Sequence, residues 1–162
     1  MPIQRGIGTT AAALDWLDDF VRRRAVTPEQ ARVLGLVVAE GRHQAIAAGS
    51  QAGLESLGLK LVARPEDRSA TVTAAWLPEG LDWAPFNADM RGRGLIVAGG
   101  QGKWAGRIMR FGHMGMVEIE EMVEAVRVMG ETMGDHGFQP DVSAAMAATQ
   151  GAYDAARSAA AR

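Results

Sequence analysis

The residue best suited to chemistry in this sequence is the arginine at position 110. The run from Arg107 to Phe111 places Arg110 among apolar neighbours, and a glycine-rich segment containing Gly99 and Gly100 precedes it. A guanidinium is a rigid planar fork that holds a carboxylate through two parallel hydrogen bonds. Arg110 is therefore a candidate either for binding the carboxylate of a ligand or for forming a structural ion pair, and its spacing favours neither.

Two strands joined by the glycine loop would position this arginine. The apolar run at residues 95–97 predicts the first strand, and the run that contains Arg110 predicts the second. This arrangement brings the guanidinium close to the loop backbone, where Gly99 and Gly100 would leave room for a substrate because glycine permits close approach. Alternation along the second strand predicts that Arg107 points to the opposite face.

The remaining candidates form no recognisable catalytic or metal site. The loop GGQGKWAG lacks the Gly-Lys-Ser/Thr spacing of a phosphate loop and leads into a strand rather than a helix. His43, His113 and His136 are too dispersed for a metal motif, and we interpret them as structural or surface residues. Whether His113 or Lys103, which flank the candidate site, also contacts a substrate is left open. The absence of cysteine excludes disulfides, thiolate metal sites and a cysteine nucleophile.

The length and composition predict one folded domain. The chain has 162 residues, of which 48% are hydrophobic, so it is long enough to bury a core. Its net charge of −2 gives no general attraction to nucleic acid or to an anionic membrane. No stretch approaches the ~20 apolar residues that a membrane-spanning helix needs. We therefore expect a cytoplasmic protein that binds neither nucleic acid nor membrane.

Two helices are predicted before the first strand. Thr9 and Thr10 are natural N-caps for a helix with an apolar stripe formed by Leu14, Leu17 and Val21. This stripe is expected to face a partner. A long second helix begins at Thr27-Pro28 and ends at about residue 57, before Gly58. Its internal glycines weaken it, and a bend or break is predicted near Gly49.

The rest of the chain mixes strands with helices. Strands are predicted at residues 59–63 and 70–77, a short helix capped by Asp82, a helix from Val117 to about Gly134, and an alanine-rich helix capped by Asp141. Strands and helices are segregated rather than strictly alternating. The predicted fold is therefore α+β, with a small, mostly antiparallel sheet packed on helices.

The segment GLIVAGGQGKWAGRIMRFGHMG, residues 94–115, resembles the C-terminal segment of class V, fold-type I aminotransferases that use pyridoxal 5'-phosphate. The similarity is greatest to the alanine–glyoxylate and serine–pyruvate branch. In that family a Gly-Gly loop is followed by a Gly-(Lys/Arg)-x-x-Arg-(Ile/Phe)-Gly strand, a pattern that Gly106 to Gly112 match without a gap. The resemblance extends from about Thr9 to Met133 and implies the fold of the C-terminal small domain.

The resemblance also implies roles for individual residues. Arg110 would bind the substrate α-carboxylate, with Gly99 and Gly100 beside it. A threonine before the first helix, Thr9 or Thr10, would contact the cofactor phosphate, although the proline that usually follows this threonine is absent. The family lysine that holds pyridoxal phosphate covalently lies in a large domain that would precede Thr9, so no catalytic residue is expected in this chain.

The predicted protein is therefore the small subunit of a split aminotransferase, active only with a large subunit that carries the cofactor lysine. The expected substrates are a small amino acid and a 2-oxo acid such as glyoxylate or pyruvate. Residues 1–57 would form a helical segment leading from the missing large domain, 58–135 the small domain, and 136–162 the C-terminal helix. The alternative is a non-catalytic domain, derived from such a small domain, that binds an amino acid or regulates another protein.

Overall fold

The computed structural model describes residues 28–160, and their side chains from residue 40 onward. This part of the chain forms four helices and a three-stranded sheet: α1 (Pro28–Ser56), β1 (Val72–Trp76), α2 (Trp83–Gly92), β2 (Ala98–Gly99), β3 (Ile108–Gly112), α3 (Ile119–Asp135) and α4 (Val142–Ala160). Two short 3-10 turns lie at Pro65–Asp67 and Gly102–Trp104. The predicted α+β class is confirmed. Thr9, Thr10 and the helix predicted after them lie outside the described residues.

The sheet is antiparallel throughout, with β3 as the central strand in the order β1-β3-β2. In the register, Arg110 lies opposite Ala74 of β1 and Ala98 of β2. Residues opposite each other in an antiparallel pair point to the same side of the sheet. The two faces of the sheet are therefore assigned directly from the register.

One face, the core face, packs on the helices through Thr73, Ala75, Met109 and Phe111, all of which are buried. The other face, which we call the open face, carries Val72, Ala74, Trp76, Ala98, Ile108, Arg110 and Gly112. The core below the sheet combines residues of all four helices with the strands; its largest fully buried apolar side chains are Ile46, Leu54, Phe86, Met90, Met109, Met122, Val126 and Met129.

Two strand predictions need correction. Residues 59–63 form only an isolated bridge, Leu61 to Ala75, because the chain leaves α1 through Gly58 at φ +85° and soon enters the Pro65 turn. Residues 95–97 are not a strand, and β2 occupies the next two positions instead. The backbone N–H of Leu95 still donates to Met90 at the end of α2, and the side chains of Leu95 and Val97 pack in the core before the chain reaches the sheet.

The bend or break predicted near Gly49 does not interrupt the helix, since α1 is continuous to Ser56. Gly49 and Gly53 instead mark the closest approach of α1 to α4. A β-carbon at Gly49 would lie 2.8 Å from the carbonyl oxygen of Thr149, and one at Gly53 would overlap the Thr149 hydroxyl. These glycines therefore allow helix packing that a larger residue would prevent.

The helix ends are held by polar side chains. The predicted caps are present, since Asp82 accepts from the Ala84 amide at 3.1 Å and Asp141 from the Ala144 amide at 2.8 Å. The sequence analysis missed the capping box of α3, in which Glu118 and Glu121 bond reciprocally with backbone amides. Across residues 28–160, no helix combines the length and the apolar character that crossing a bilayer requires.

Candidate functional site

Arg110 is the middle residue of β3 and lies half-buried at the centre of the open face. Its Nε donates a hydrogen bond of 3.0 Å to the carbonyl oxygen of Gly99. Because β2 runs alongside β3, the glycine loop and the guanidinium are brought together as the sequence suggested. This bond fixes the plane of the guanidinium and leaves its two Nη groups directed elsewhere.

Arg110 differs from the other partly buried arginines in its lack of an acidic partner. Arg42 pairs with Glu118, Arg68 with Glu55, and Arg127 with Glu124 and Glu131. Among residues 40–160, Arg110 forms no ion pair, and its one hydrogen bond goes to a neutral carbonyl. A half-buried cation without a counter-charge is suited to binding an anion.

The neighbours of Arg110 leave space above it. Ala74 and Ala98, directly opposite it on the two flanking strands, present only methyl groups on the open face. Gly112, two residues along β3, has no side chain there at all. Among the described residues, the guanidinium therefore has small neighbours on three sides of the open face.

The space beside Gly99 and Gly100 is filled by the protein. A β-carbon at Gly99 would lie 2.9 Å from the Trp83 ring, and one at Gly100 would overlap the Trp104 backbone. The absence of side chains at these glycines therefore serves packing on those sides. Their contact with a substrate stays a prediction, and it would have to involve their backbone groups.

Arg107 does not behave as predicted. The strand begins at Ile108, so Arg107 lies in the preceding turn, where alternation does not fix its direction. Its guanidinium carbon lies 5.6 Å from the centroid of Trp76 and 5.7 Å from that of Trp104. Trp76 belongs to the open face, so the cationic end of Arg107 is on the side of Arg110 rather than opposite it.

Lys103 completes a group that we call the cation–tryptophan cluster, formed by Trp76, Lys103, Trp104 and Arg107. The Lys103 ammonium lies 5.2 Å from the Trp104 centroid, and the two indole rings meet edge to face at 5.1 Å. The sequence analysis missed this cluster. Its only local signal was a tryptophan between two cations in KWAGR, because Trp76 comes from another strand.

His113 follows β3 and is buried, with a ring Nε2 that shares a 2.8 Å hydrogen bond with the Thr73 hydroxyl. Thr73 belongs to the core face, so this imidazole points away from Arg110. Burial lowers the pKa of His113, and His43 nearby acts in the same direction. His113 is therefore a neutral structural residue here.

The described part of the chain holds no group of three or more side chains that could ligate a metal ion. It also offers no lysine suited to holding pyridoxal phosphate beside Arg110. Lys60 is exposed before β1, and Lys103 lies over Trp104 in the cluster. The residues around Arg110 are suited to the recognition of a carboxylate, and neither described lysine is placed to form a covalent bond to a ligand held there.

Comparison with known proteins gives several aminotransferases as relatives. No protein-family profile matches the sequence. An uncharacterised aminotransferase of Methanocaldococcus jannaschii is 36% identical over 113 residues, which are 65% of this chain and 29% of that protein. The L-aspartate–glyoxylate aminotransferase of Paracoccus denitrificans is 31% identical over 125 residues, 72% of this chain and 32% of the relative. The serine–glyoxylate aminotransferase of Hyphomicrobium methylovorum is 38% identical over 93 residues, which are 52% of this chain and 23% of that protein.

Solved structures agree with these relatives. Pyridoxamine–pyruvate aminotransferase from Mesorhizobium loti superposes with a TM-score of 0.68 at 25% identity, over 78% of this chain and 32% of that one. Ureidoglycine–glyoxylate aminotransferase from Bacillus subtilis shares the fold, with a TM-score of 0.66 at 22% identity over 95% of this chain and 43% of that one. The chain spans less than a third of each of the three relatives named above. It is homologous to the class V aminotransferases of the alanine–glyoxylate and serine–glyoxylate type, over part of their C-terminal domain.

Proposed function

We propose that this chain is the small subunit of a split aminotransferase and that Arg110 binds the α-carboxylate of the amino-acid and 2-oxo-acid substrates. One observation carries the proposal: Arg110 is half-buried at the centre of the open face, is oriented by Gly99, and has no acidic partner among residues 40–160. The homology supports the reaction class, because the relatives are aminotransferases. Glyoxylate and pyruvate, small 2-oxo acids, are the acceptors we propose.

The role of this chain is to bind and orient. When bound, pyridoxal phosphate supplies an electron sink for the reaction. Arg110 would hold the α-carboxylate through its two Nη groups, and the bond from its Nε to Gly99 would keep the fork in one plane. A carboxylate fixed at two points fixes the direction of the neighbouring Cα–H bond, which is how positioning lowers a barrier.

The cofactor lysine would come from a large subunit in a hetero-oligomer, where it holds pyridoxal phosphate covalently. The exposure of large apolar residues supports a partner. Ile96 is 72% exposed, Met116 58% and Met114 56%, and such residues commonly mark an interface. We also propose that Thr9 or Thr10 reaches the cofactor phosphate, and that residues 58–135 are the small domain proper, between the helical segments 1–57 and 136–162.

The test is steady-state kinetics of the complex reconstituted with a candidate large subunit. Arg110→Lys keeps the charge but loses the two-point geometry, so kcat/KM is expected to fall by at least about 30-fold, equivalent to ~2 kcal/mol or more. The matched control is Arg64→Lys, because Arg64 is exposed and pairs only with its neighbours Glu66 and Asp67. Equal and mild effects at both positions would show that Arg110 is a structural residue.

The non-catalytic alternative makes a different prediction for the chain on its own. A domain that binds an amino acid without doing chemistry should bind alanine or serine at physiological concentrations with no partner present. Calorimetric titration of the isolated chain measures this directly. Tight binding, together with failure of every candidate large subunit to associate, would favour the regulatory domain over the split enzyme.

A further inference from the structure

The cation–tryptophan cluster is the second cationic feature of the open face, and the proposed carboxylate site does not use it. Its two cations, Lys103 and Arg107, are exposed, whereas Trp76 and Trp104 are half-buried. Arg107 lies within 6 Å of both ring centroids and Lys103 lies over the second ring. The rings therefore restrict where the two cationic groups can go.

This arrangement orients the cations without neutralising them. An interaction with a ring face uses the charge of a guanidinium but not its N–H donors, which remain available for an anion. Among residues 40–160, neither Arg107 nor Lys103 forms an ion pair with a carboxylate. Most of the other arginines described there do, including the exposed Arg64 and Arg93. The cluster is thus a positive site with unused donors.

The cluster is next to Arg110 on the same face. Ala74 lies opposite Arg110, and Trp76 is the next residue of β1 on that face. Diagonal neighbours of this kind are about 7–8 Å apart across an antiparallel pair. Between the two cationic positions lie Ala74, which is half-buried, and Ile108, which is buried; both are apolar. Two anion-binding groups are therefore separated by a short apolar strip.

We propose that Arg107, assisted by Lys103, binds the side-chain carboxylate of a dicarboxylic amino acid or 2-oxo acid whose α-carboxylate is held by Arg110. The proposal rests on the proposed function of Arg110 and names the class of one of the two substrates. A four- or five-carbon dicarboxylic acid has an anionic group at each end and methylene carbons between them. Its pattern of charge matches the two cationic positions, and its methylenes match the apolar strip.

The experiment is a titration of the full chain, labelled with nitrogen-15 and assembled with the candidate large subunit, with L-aspartate, L-glutamate and L-alanine. The indole N–H signals of Trp76 and Trp104 report on the cluster directly, and that of Trp83, whose ring packs at Gly99, reports on the Arg110 side of the site. We expect a dicarboxylic acid to bind about fivefold more tightly than alanine, the scale of one partly exposed ion pair. Only the dicarboxylic acid should shift the signals of Trp76 and Trp104 strongly.

Three variants separate this subsite from the proposed function. Arg107→Gln should remove the preference for the dicarboxylic acid and leave alanine binding unchanged, whereas Arg110→Lys should weaken the binding of both. Arg91→Gln is the matched control, because Arg91 is exposed at the end of α2 and forms no ion pair within the described residues. Thermal unfolding of each variant shows whether the fold is retained.

The outcomes are distinct. Equal affinity for aspartate, glutamate and alanine in the unaltered chain, or no saturable shift with any of them, would overturn the subsite. So would an Arg107→Gln variant that loses stability and binds all three acids equally less well, because that is the behaviour of a structural arginine. If Arg110→Lys changes nothing while Arg107→Gln weakens binding, the function proposed for Arg110 fails and the anion site at Arg107 stands.

Discussion

The core face and the open face of the sheet are made by alternate residues of the same strands, yet around Arg110 the two faces differ in burial, in charge and in the size of their side chains. On the core face, Met109 and Phe111 are buried among the helices. Between them on the open face stands Arg110, a cation with small neighbours and no acidic partner in the described part of the chain. Residues adjacent in sequence therefore have separate tasks.

The difference teaches that stability and binding are separable within one five-residue strand. Met109 and Phe111 fix the position of β3 by burying apolar surface, which is the main favourable term in folding. Arg110 buries little apolar surface, but its position is fixed because its two neighbours in β3 are fixed. A binding residue held in this way is pre-organised without having to stabilise the fold itself.

Truncation of the core face should give the largest effect on stability. Phe111→Ala removes a buried aromatic side chain, and we expect the free energy of unfolding to fall by about 3–5 kcal/mol. Arg110→Ala, one residue away, should change it by less than about 1 kcal/mol. Urea denaturation of both variants measures the two values. If the arginine variant were as unstable as the phenylalanine variant, the division between the faces would be wrong.

Substitutions at the contact between α1 and α4 should give the next largest loss of stability. Gly53→Ala forces a methyl group against the Thr149 hydroxyl, so we expect a loss of about 1–3 kcal/mol in the free energy of unfolding. Gly41→Ala is the control in the same helix, because nothing lies within 4 Å of its β-carbon position. That change should stabilise the protein by up to about 1 kcal/mol. A neutral result at Gly53 would show that the helices separate easily.

His113 should make stability depend on pH. Burial holds its pKa in the folded chain below the ordinary value of 6.5, so the unfolded chain takes up a proton first as the pH falls. The neutral ring contributes fully to the free energy of unfolding above pH 6.5. This contribution is lost progressively as the pH falls below 6.5, until His113 is protonated in the folded chain too. His113→Gln should flatten the slope of unfolding free energy against pH below pH 6.5. An unchanged slope would show that the pH dependence of stability comes from other titratable groups.

Pyridoxal phosphate should have the smallest effect on the chain alone. The described lysines, Lys60 and Lys103, are both exposed, and neither lies in a position that matches the family lysine. We therefore expect no stable adduct after incubation with the cofactor and reduction with borohydride, as judged by intact mass. Stoichiometric modification of either lysine would instead place the covalent chemistry in this chain.

Local signals in the sequence predicted the features that local chemistry determines. The apolar run around Arg110, the caps at Asp82 and Asp141 and the glycine after α1 each lie beside the element that they define, and the structure has these elements there. The resemblance to class V aminotransferases was likewise carried by one continuous segment. Neither the local signals nor the resemblance depends on contacts between residues that are far apart in the chain.

The features that were missed depend on residues far apart in the chain. Gly49 was predicted to weaken α1 because the local pattern does not reveal its packing partner, Thr149. The position of Arg107 depends on Trp76, which comes from another strand. The run at residues 95–97 has the composition of a strand, but Leu95 and Val97 pack into the core at the end of α2 instead. Tertiary contacts decided each of these cases.

The close packing of α1 on α4 also determines when the fold can be completed. The glycines that receive α4 are about a hundred residues earlier in the chain than Thr149. During synthesis, the surface of α1 at Gly49 and Gly53 therefore stays without its partner until α4 has been made, although β1, β3 and α3 are already available. Because closing so long a loop costs entropy before any contact repays it, we expect the docking of α4 to be a late step in folding. A chain truncated before residue 142 would contain all three strands of the sheet but would lack α4. The α4-binding surface of α1 would then be uncovered and open to association with other chains.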